Sequence, residues 1–412
     1  MKFWGIFRFE LDYQLRRAWP WLFFVVLLAL SFLMARDSSL ADALYEDFFA
    51  NSSFSVSKTT VFGGLIWLLV AAAIAGEAAA RDIATGMHPL VYTAPISKAE
   101  YLGGRFLAAF VLNALLLLTV QVGIVLGIYS PGVDPEVLGP FRPAVFLSAY
   151  AFIALPSAFF GTALQFAISL RSGRPMAGYG GSLLLVFMGF FVATLVAFTV
   201  KRGLGTLLDP IGIHFIVEDL AHAWTTAEKS HRVLALEGAL LTNRLIWLGV
   251  GVLTLAVTYA SFHFAHRTER RWWKRLTRRR DAHAPVPGGL GITPVVPISV
   301  PRVPRTFGFT LHARQMMATA WESFLSIAKS WGGLAVLVGI PALTVVVVLD
   351  QVGSLGATLV PTTARVIAEL TGPLSNEMSR WVIIPVVIVF FAGELVWRER
   401  EAGVNEITDA MP

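Results

Sequence analysis

From residue 18 onward the chain alternates between long apolar runs and short polar interruptions, and the runs set the plan of the molecule. A helix needs about 17–25 mainly apolar residues to cross ~30 Å of hydrocarbon. Runs near that length lie at about Ala18 to Ala35, Val61 to Ala75, Phe106 to Tyr129, Ala144 to Leu170, Gly178 to Val200, Asn243 to His266, Trp331 to Leu349 and Trp381 to Trp397. The pattern predicts an all-α membrane protein, a polytopic helical bundle of about eight spans, whose first span is a retained anchor rather than a cleaved signal. Ahead of it, Trp4, Phe7, Leu11 and Leu15 recur at helical spacing, flanked by Arg8, Asp12 and Arg16 on one side and Glu10 and Arg17 on the other. This predicts an amphipathic helix along the membrane surface.

The interruptions differ in kind. Asp37 to Lys58 reads as a polar outer loop, and its Asn51-Ser52-Ser53 sequon as a chance match. Pro95 to Tyr101 reads as a short entry to the third span, the Pro131 to Pro143 segment as a short loop, and Arg171 to Pro175 as a tight turn. The stretch from Lys201 to Thr242 is too long for a simple connection and too apolar for a solvated loop. It reads either as helices dipping into the outer leaflet or as a loop packed on the bilayer surface.

One polar stretch occurs twice. Gly76, Glu77, Arg81, Asp82, Gly86 and Pro95 leave the end of an apolar run, and Gly393, Glu394, Arg398, Glu399, Gly403 and Pro412 repeat the same spacing after another. A self-match of this kind implies two halves: 1–266 as a first six-span half, 267–305 as a basic and Pro-rich linker, and 306–412 as the start of a second, truncated half. The pattern Phe7-x-Phe9-x-Leu11 returns as Phe307-x-Phe309-x-Leu311 where the second half should begin. On a continuing helix Glu77 faces Arg81, and Glu394 faces Arg398, four residues on, with the following Gly able to end the helix. The expected result is a charged elbow at an equivalent place in each half.

Composition agrees with a membrane chain: 56% of residues are hydrophobic and only 15% charged, where an ordinary soluble domain is nearer a quarter charged. With the N-terminus inside, segments on that side hold most of the 33 basic residues and fewer than half of the 27 acids. That bias puts both ends in the cytoplasm, so the net charge of +6 is a topology signal and gives no reason to expect nucleic-acid binding. The basic run Arg267 to Arg280 fits the same role, with anionic lipid as a second reading. Cysteine is absent, which excludes disulfides and thiolate metal sites. No Walker-type Gly-Lys, His-Glu-x-x-His or Gly-x-Ser-x-Gly pattern occurs, so neither catalytic nor metal residues nor a cofactor are expected. The span interiors offer chiefly Asn113, Gln121 and Gln165, none titratable, which argues against a gradient-driven carrier.

The Gly76-Glu77-x-x-x-Arg81-Asp82-x-x-x-Gly86 stretch with Tyr92 to Ser97, the Asp209-Pro210-Ile211-Gly212 and Asn243 to Trp247 segments, and the Gly393 to Gly403 copy resemble bacterial ABC transporter permeases of the type-2 superfamily. More narrowly, the chain resembles the membrane part of fused permease and zinc aminopeptidase-like proteins. The resemblance implies a permease subunit, for export, in the bacterial inner membrane, partnered by a cytoplasmic ABC ATPase and membrane lipids. It also implies completion by a homodimer or by a missing second half. By the same resemblance Phe3 to Arg17 is a connecting helix, Glu77 to Tyr101 a coupling segment on the ATPase, and Gly203 to Thr242 a partly re-entrant cap. The alternative is a membrane anchor or scaffold for a downstream peptidase-like domain, without transport.

Overall fold

A computed structural model describes residues 2–193, 196–197, 202–264, 309–328 and 392, and the described elements are helices joined by short connections. An N-terminal helix α1 (Lys2–Leu15) precedes α2 (Ala18–Glu46) and α3 (Ser53–Ala84). A short helix α4 (His88–Tyr92) leads into α5 (Lys98–Ile128), α6 (Pro143–Ser172) and the shorter α7 (Gly178–Phe187). Three short helices follow, α8 (Arg202–Leu208), α9 (His214–Leu220, wound in wider π-type turns) and α10 (Thr226–His231), then α11 (Gly238–Ser261) and α12 (Phe309–Ala328). Among the described residues, α2, α3, α5, α6 and α11 are long and apolar enough to cross a membrane. The expected run Gly178 to Val200 contains α7 and a wide turn at Met188–Val192 before description stops. The linker 267–305, the runs at Trp331 to Leu349 and Trp381 to Trp397, and Gly393, Glu394, Arg398, Glu399, Gly403 and Pro412 lie outside the described residues.

The bundle is built around α3. Its most apolar window is 78% buried, against 22% for α2 and α11, whose remaining surface is apolar, as a lipid-facing helix requires. Close approach depends on small residues. Gly123 and Gly127 of α5 are four apart and meet the α2 backbone; a Cβ there would stand 2.7 Å from the Leu28 carbonyl oxygen and 2.6 Å from that of Phe32. At Gly76 on α3 a Cβ would overlap the Pro175 carbonyl oxygen, so this glycine serves the contact of α3 with the turn before α7.

One expectation requires correction. The polar segment 37–58 is mostly helix: α2 continues through a wide turn at Ala35–Ser39 to Glu46, and α3 starts at Ser53, capped by Ser52. Its polar groups are used between the two helices, with Ser39 and Thr59 2.8 Å apart and Lys58 2.7 Å from Asp42. In α1, Leu11 and Leu15 of the Trp4, Phe7, Leu11, Leu15 stripe pack against the core. Phe3 and Ile6 pack on Gly103 and Gly104 of α5, Glu10 and Gln14 are buried, and Trp4 remains exposed. This placement brings Glu10 to the buried guanidinium of Arg81.

Other expectations hold. Ser97 forms a capping box with Glu100 at the start of α5, and Gly173 takes a φ of +71° at the end of α6. Residues 202–242 are largely helical, as the first of the two readings of that stretch expects, with Ile211, Ile213, Ile216 and Leu234 buried. Asn51 is buried and its amide pairs with Gly139 and the Tyr129 hydroxyl, which agrees with a chance sequon.

Substituting Gly76→Ala is expected to destabilise the protein by about 1–3 kcal/mol through overpacking. Gly64→Ala, whose Cβ would meet nothing within 4 Å, is expected to leave stability equal or raise it by up to about 1 kcal/mol. Thermal unfolding of the purified variants in one detergent checks the pair.

Candidate functional site

The end of α3 carries three charges within six residues, Glu77, Arg81 and Asp82, and each is answered by a different neighbour. Arg81 reaches α1, donating from Nη1 to Glu10 Oε1 at 2.9 Å and from Nη2 to Glu10 Oε2 at 2.8 Å. Asp82 reaches α5, accepting from Arg105 Nη2 at 2.6 Å and from the Tyr101 hydroxyl at 3.1 Å. Glu77 is taken by the end of α1, with Arg17 Nη1 at 2.7 Å and the Tyr13 hydroxyl at 3.4 Å. The expected Glu77–Arg81 partnership is therefore replaced by contacts to other helices. On one helix the pair gains a few tenths of a kcal/mol, whereas a two-pronged Arg–carboxylate bond between helices is stronger and geometrically specific.

These six residues supply three positive and three negative charges. Glu10 is 1% exposed, and Asp82, Arg105 and Arg81 are also buried, so neutrality is a requirement rather than a refinement. Arg105 also donates to the Ala78 carbonyl at 3.1 Å. The guanidinium of Arg81 lies 4.0 Å from the centre of the Tyr13 ring and that of Arg105 lies 4.7 Å from the Tyr101 ring. Thus α1, α3 and α5 are clasped at one end of the bundle.

Past the clasp the chain turns outward. Thr85 closes α3 by returning its hydroxyl to the Arg81 carbonyl, and Gly86 follows with a φ of +70°, as expected of a glycine ending the helix. The chain then presents α4, where Met87 and Leu90 are 49% and 68% exposed. Pro95 lies in the exposed return and its carbonyl accepts from Lys2. On its inner side α4 is held by Tyr92, whose ring meets Tyr101, Phe262 and Phe264 at 5.4–6.0 Å. Burial pushes the Tyr92 hydroxyl above its ordinary range. Among the described residues no group of His, Asp and Glu is placed to hold a metal ion, and the buried ion pairs link α1, α3 and α5 behind α4.

At the opposite end, the Asp209-Pro210-Ile211-Gly212 and Asn243-Arg244 segments come together. Asp209 accepts from the backbone of Ile211 at 2.9 Å and His214 at 2.7 Å. Asn243 donates to the Thr206 and Asp209 carbonyls, each at 2.8 Å, and Arg244 donates to those of Pro210 and Ile211. Gly212, with a φ of +98°, leaves room for the guanidinium. The α8 to α10 segment is thereby tied to α11, and Lys229 secures it to Glu46 at 2.6 Å.

Of the site residues expected from sequence, Gly76, Glu77, Arg81, Asp82, Gly86 and Pro95 cluster at the α4 end of the bundle. Glu10, Arg17 and Arg105 were not expected there. The available signal for Arg105 was a lone cation inside an apolar run, which calls for a partner. No family model matches the chain, and no curated protein matches it.

Replacing Glu10 with Ala strands Arg81 among buried groups and is expected to cost about 3–5 kcal/mol. Replacing Arg17, 42% exposed at its side chain, is expected to cost less than about 1 kcal/mol. Comparing the unfolding midpoints of the two variants with the unaltered chain tests the ranking.

Proposed function

We propose that this chain is the membrane permease subunit of an ATP-driven exporter, with α4 and the flanking residues 84–97 as the surface that a separate ATPase engages. The observation that carries this reading is the combination of an exposed, partly apolar α4 with a buried, charge-neutral clasp immediately behind it. A displacement of α4 by a motor passes through Asp82 and Arg105 into α5, through Arg81 and Glu10 into α1, and along α3 itself. In this reading ATP is hydrolysed on the partner, and the present chain contributes no catalytic group. Gly76, Glu77, Arg81, Asp82, Gly86 and Pro95 then act as the support of the docking surface, and the buried members do not touch the motor. By the repeat of spacing in the sequence, Gly393, Glu394, Arg398, Glu399 and Gly403 are assigned the same role for a second docking surface. The α4 end faces the cytoplasm of a bacterial inner membrane.

The chain has no cysteine, so Met87→Cys and Leu90→Cys each introduce a single reactive thiol. Thiol-directed cross-linking in native membranes, followed by mass spectrometry, is expected to capture an ATP-binding protein from both positions. Capture of a peptidase without any ATPase would move the assignment to a membrane anchor. Glu77→Gln, which breaks the Arg17 ion pair without emptying the site, is expected to lower the ATP-dependent transport rate more than the ATPase rate. Equal rates of both in the variant and the parent would remove the force-transfer role.

A further inference from the structure

Four aromatic rings meet where α11 ends. The centroids of Tyr92, Tyr101, Phe262 and Phe264 lie 5.3–6.0 Å apart in all six pairings, with Tyr101 stacked on Phe262. Tyr92 belongs to α4 and Tyr101 to the first turn of α5, whereas Phe262 and Phe264 directly follow α11, Phe262 in an extended conformation. Such ring pairs add cohesion beyond the area they bury. One end of α11 is therefore attached to α4 itself. The other end is attached as specifically: Asn243 donates to the Thr206 and Asp209 carbonyls, Arg244 to those of Pro210 and Ile211, and Trp247 Nε1 to that of Leu207 at 3.2 Å.

Between these attachments α11 packs on α6. At Gly251 a Cβ would stand 3.0 Å from the Phe159 ring and 3.2 Å from the Phe160 Cα, and the Trp247 and Phe160 rings meet at 5.4 Å. On its open side Leu245, Val252, Leu253 and Val257 are 56–63% exposed. The helix runs for 24 residues without proline or a wide turn, whereas α2 and α6 each contain a wide turn, at Ala35–Ser39 and Tyr150–Ala154. A continuous helix packed on one neighbour and open on its other side can tilt about that contact as a rigid rod. At 1.5 Å per residue, Gly251 stands about 12 Å from Asn243 and about 15 Å from Ser261. A displacement at Ser261 thus returns at Asn243 reversed in direction and at about four-fifths of its size. The α10 helix has anchors of its own, since Arg142 donates to the Ser230 and His231 carbonyls at 2.6 and 2.7 Å and Lys229 holds Glu46. Residues 206–211 can therefore follow α11 while α10 stays in place.

We propose that α11 is a lever pivoted on α6 at Gly251, through which α4 and residues 206–211, at opposite ends of the bundle, move together. The linkage itself needs no motor, and only its use in export rests on the permease reading. Hydrogen–deuterium exchange of the full chain in lipid nanodiscs tests it without ATPase or cargo, so a failure here leaves that reading standing. Replacing Phe262→Ala and Phe264→Ala together releases α11 from α4. Amide exchange over 206–216, where Asp209 holds the Ile211 and His214 amides, is then expected to quicken about five-fold or more, while 226–234 keeps its rate. Phe262→Tyr with Phe264→Tyr, which retains both rings, is expected to leave 206–216 unchanged. Exchange that quickens only within 86–105, beside the removed rings, overturns the proposal. A uniform rise that includes 226–234 and residues 112–124 of α5 overturns it as well, because the whole bundle has then loosened. Should the alanine pair not fold, Phe264→Leu alone decides by the same comparison, with a rise of about two-fold expected over 206–216.

Discussion

Charge cannot be left alone inside a bundle that faces hydrocarbon, and the end of α3 carries three charges. The rest of the arrangement at that end follows from meeting this constraint. Arg81 is met by Glu10, Asp82 by Arg105 and Glu77 by Arg17, so the helix before the first span and the start of the third long helix are both drawn to one point. The placement of α1 shows this most directly. Glu10 is buried against the Arg81 guanidinium, which leaves neither charge alone, while Trp4 stays exposed.

Much of the helical plan was legible in the sequence because apolar run length is a direct physical signal for a membrane helix. The Ser97 to Glu100 cap and the Gly173 turn were legible for the same reason, since each rests on local chemistry. Boundaries were less legible. Asp37 to Lys58 looks like a solvated loop residue by residue, yet its polar groups pair across two helices, with Ser39 against Thr59 and Asp42 against Lys58. The candidate site was half legible: the positions on α3 stood out by their spacing, but spacing on one helix suggests partners on that helix. The actual partners are 71 residues away for Arg81 and 23 for Asp82, and periodicity carries no information across such separations.

The two ends of the bundle use different means to the same end. Near α4, ionised side chains pair with one another, which fixes α1, α3 and α5 by strong directional bonds. At the other end, Asn243 and Arg244 bind backbone carbonyls exposed where the chain leaves α8, and Asp209 gathers the amides of the turn. Irregular backbone can be packed against long helices only if its polar groups are met in this way. Among the described residues the middle of the bundle is joined by carboxamides and hydroxyls, which link α3, α5, α6 and α7.

The clasp also fixes an order of assembly. As the chain is synthesised, Glu10 emerges first, whereas Arg81 and Arg105 follow only after two further long helices have been made. Until then α1 has a carboxylate without a partner and no settled place on the bundle. Its docking is therefore a late event of biogenesis, completed after α3 and α5 have entered the membrane, and a ribosome stalled before residue 81 would leave the N-terminus open to proteases that spare the finished protein.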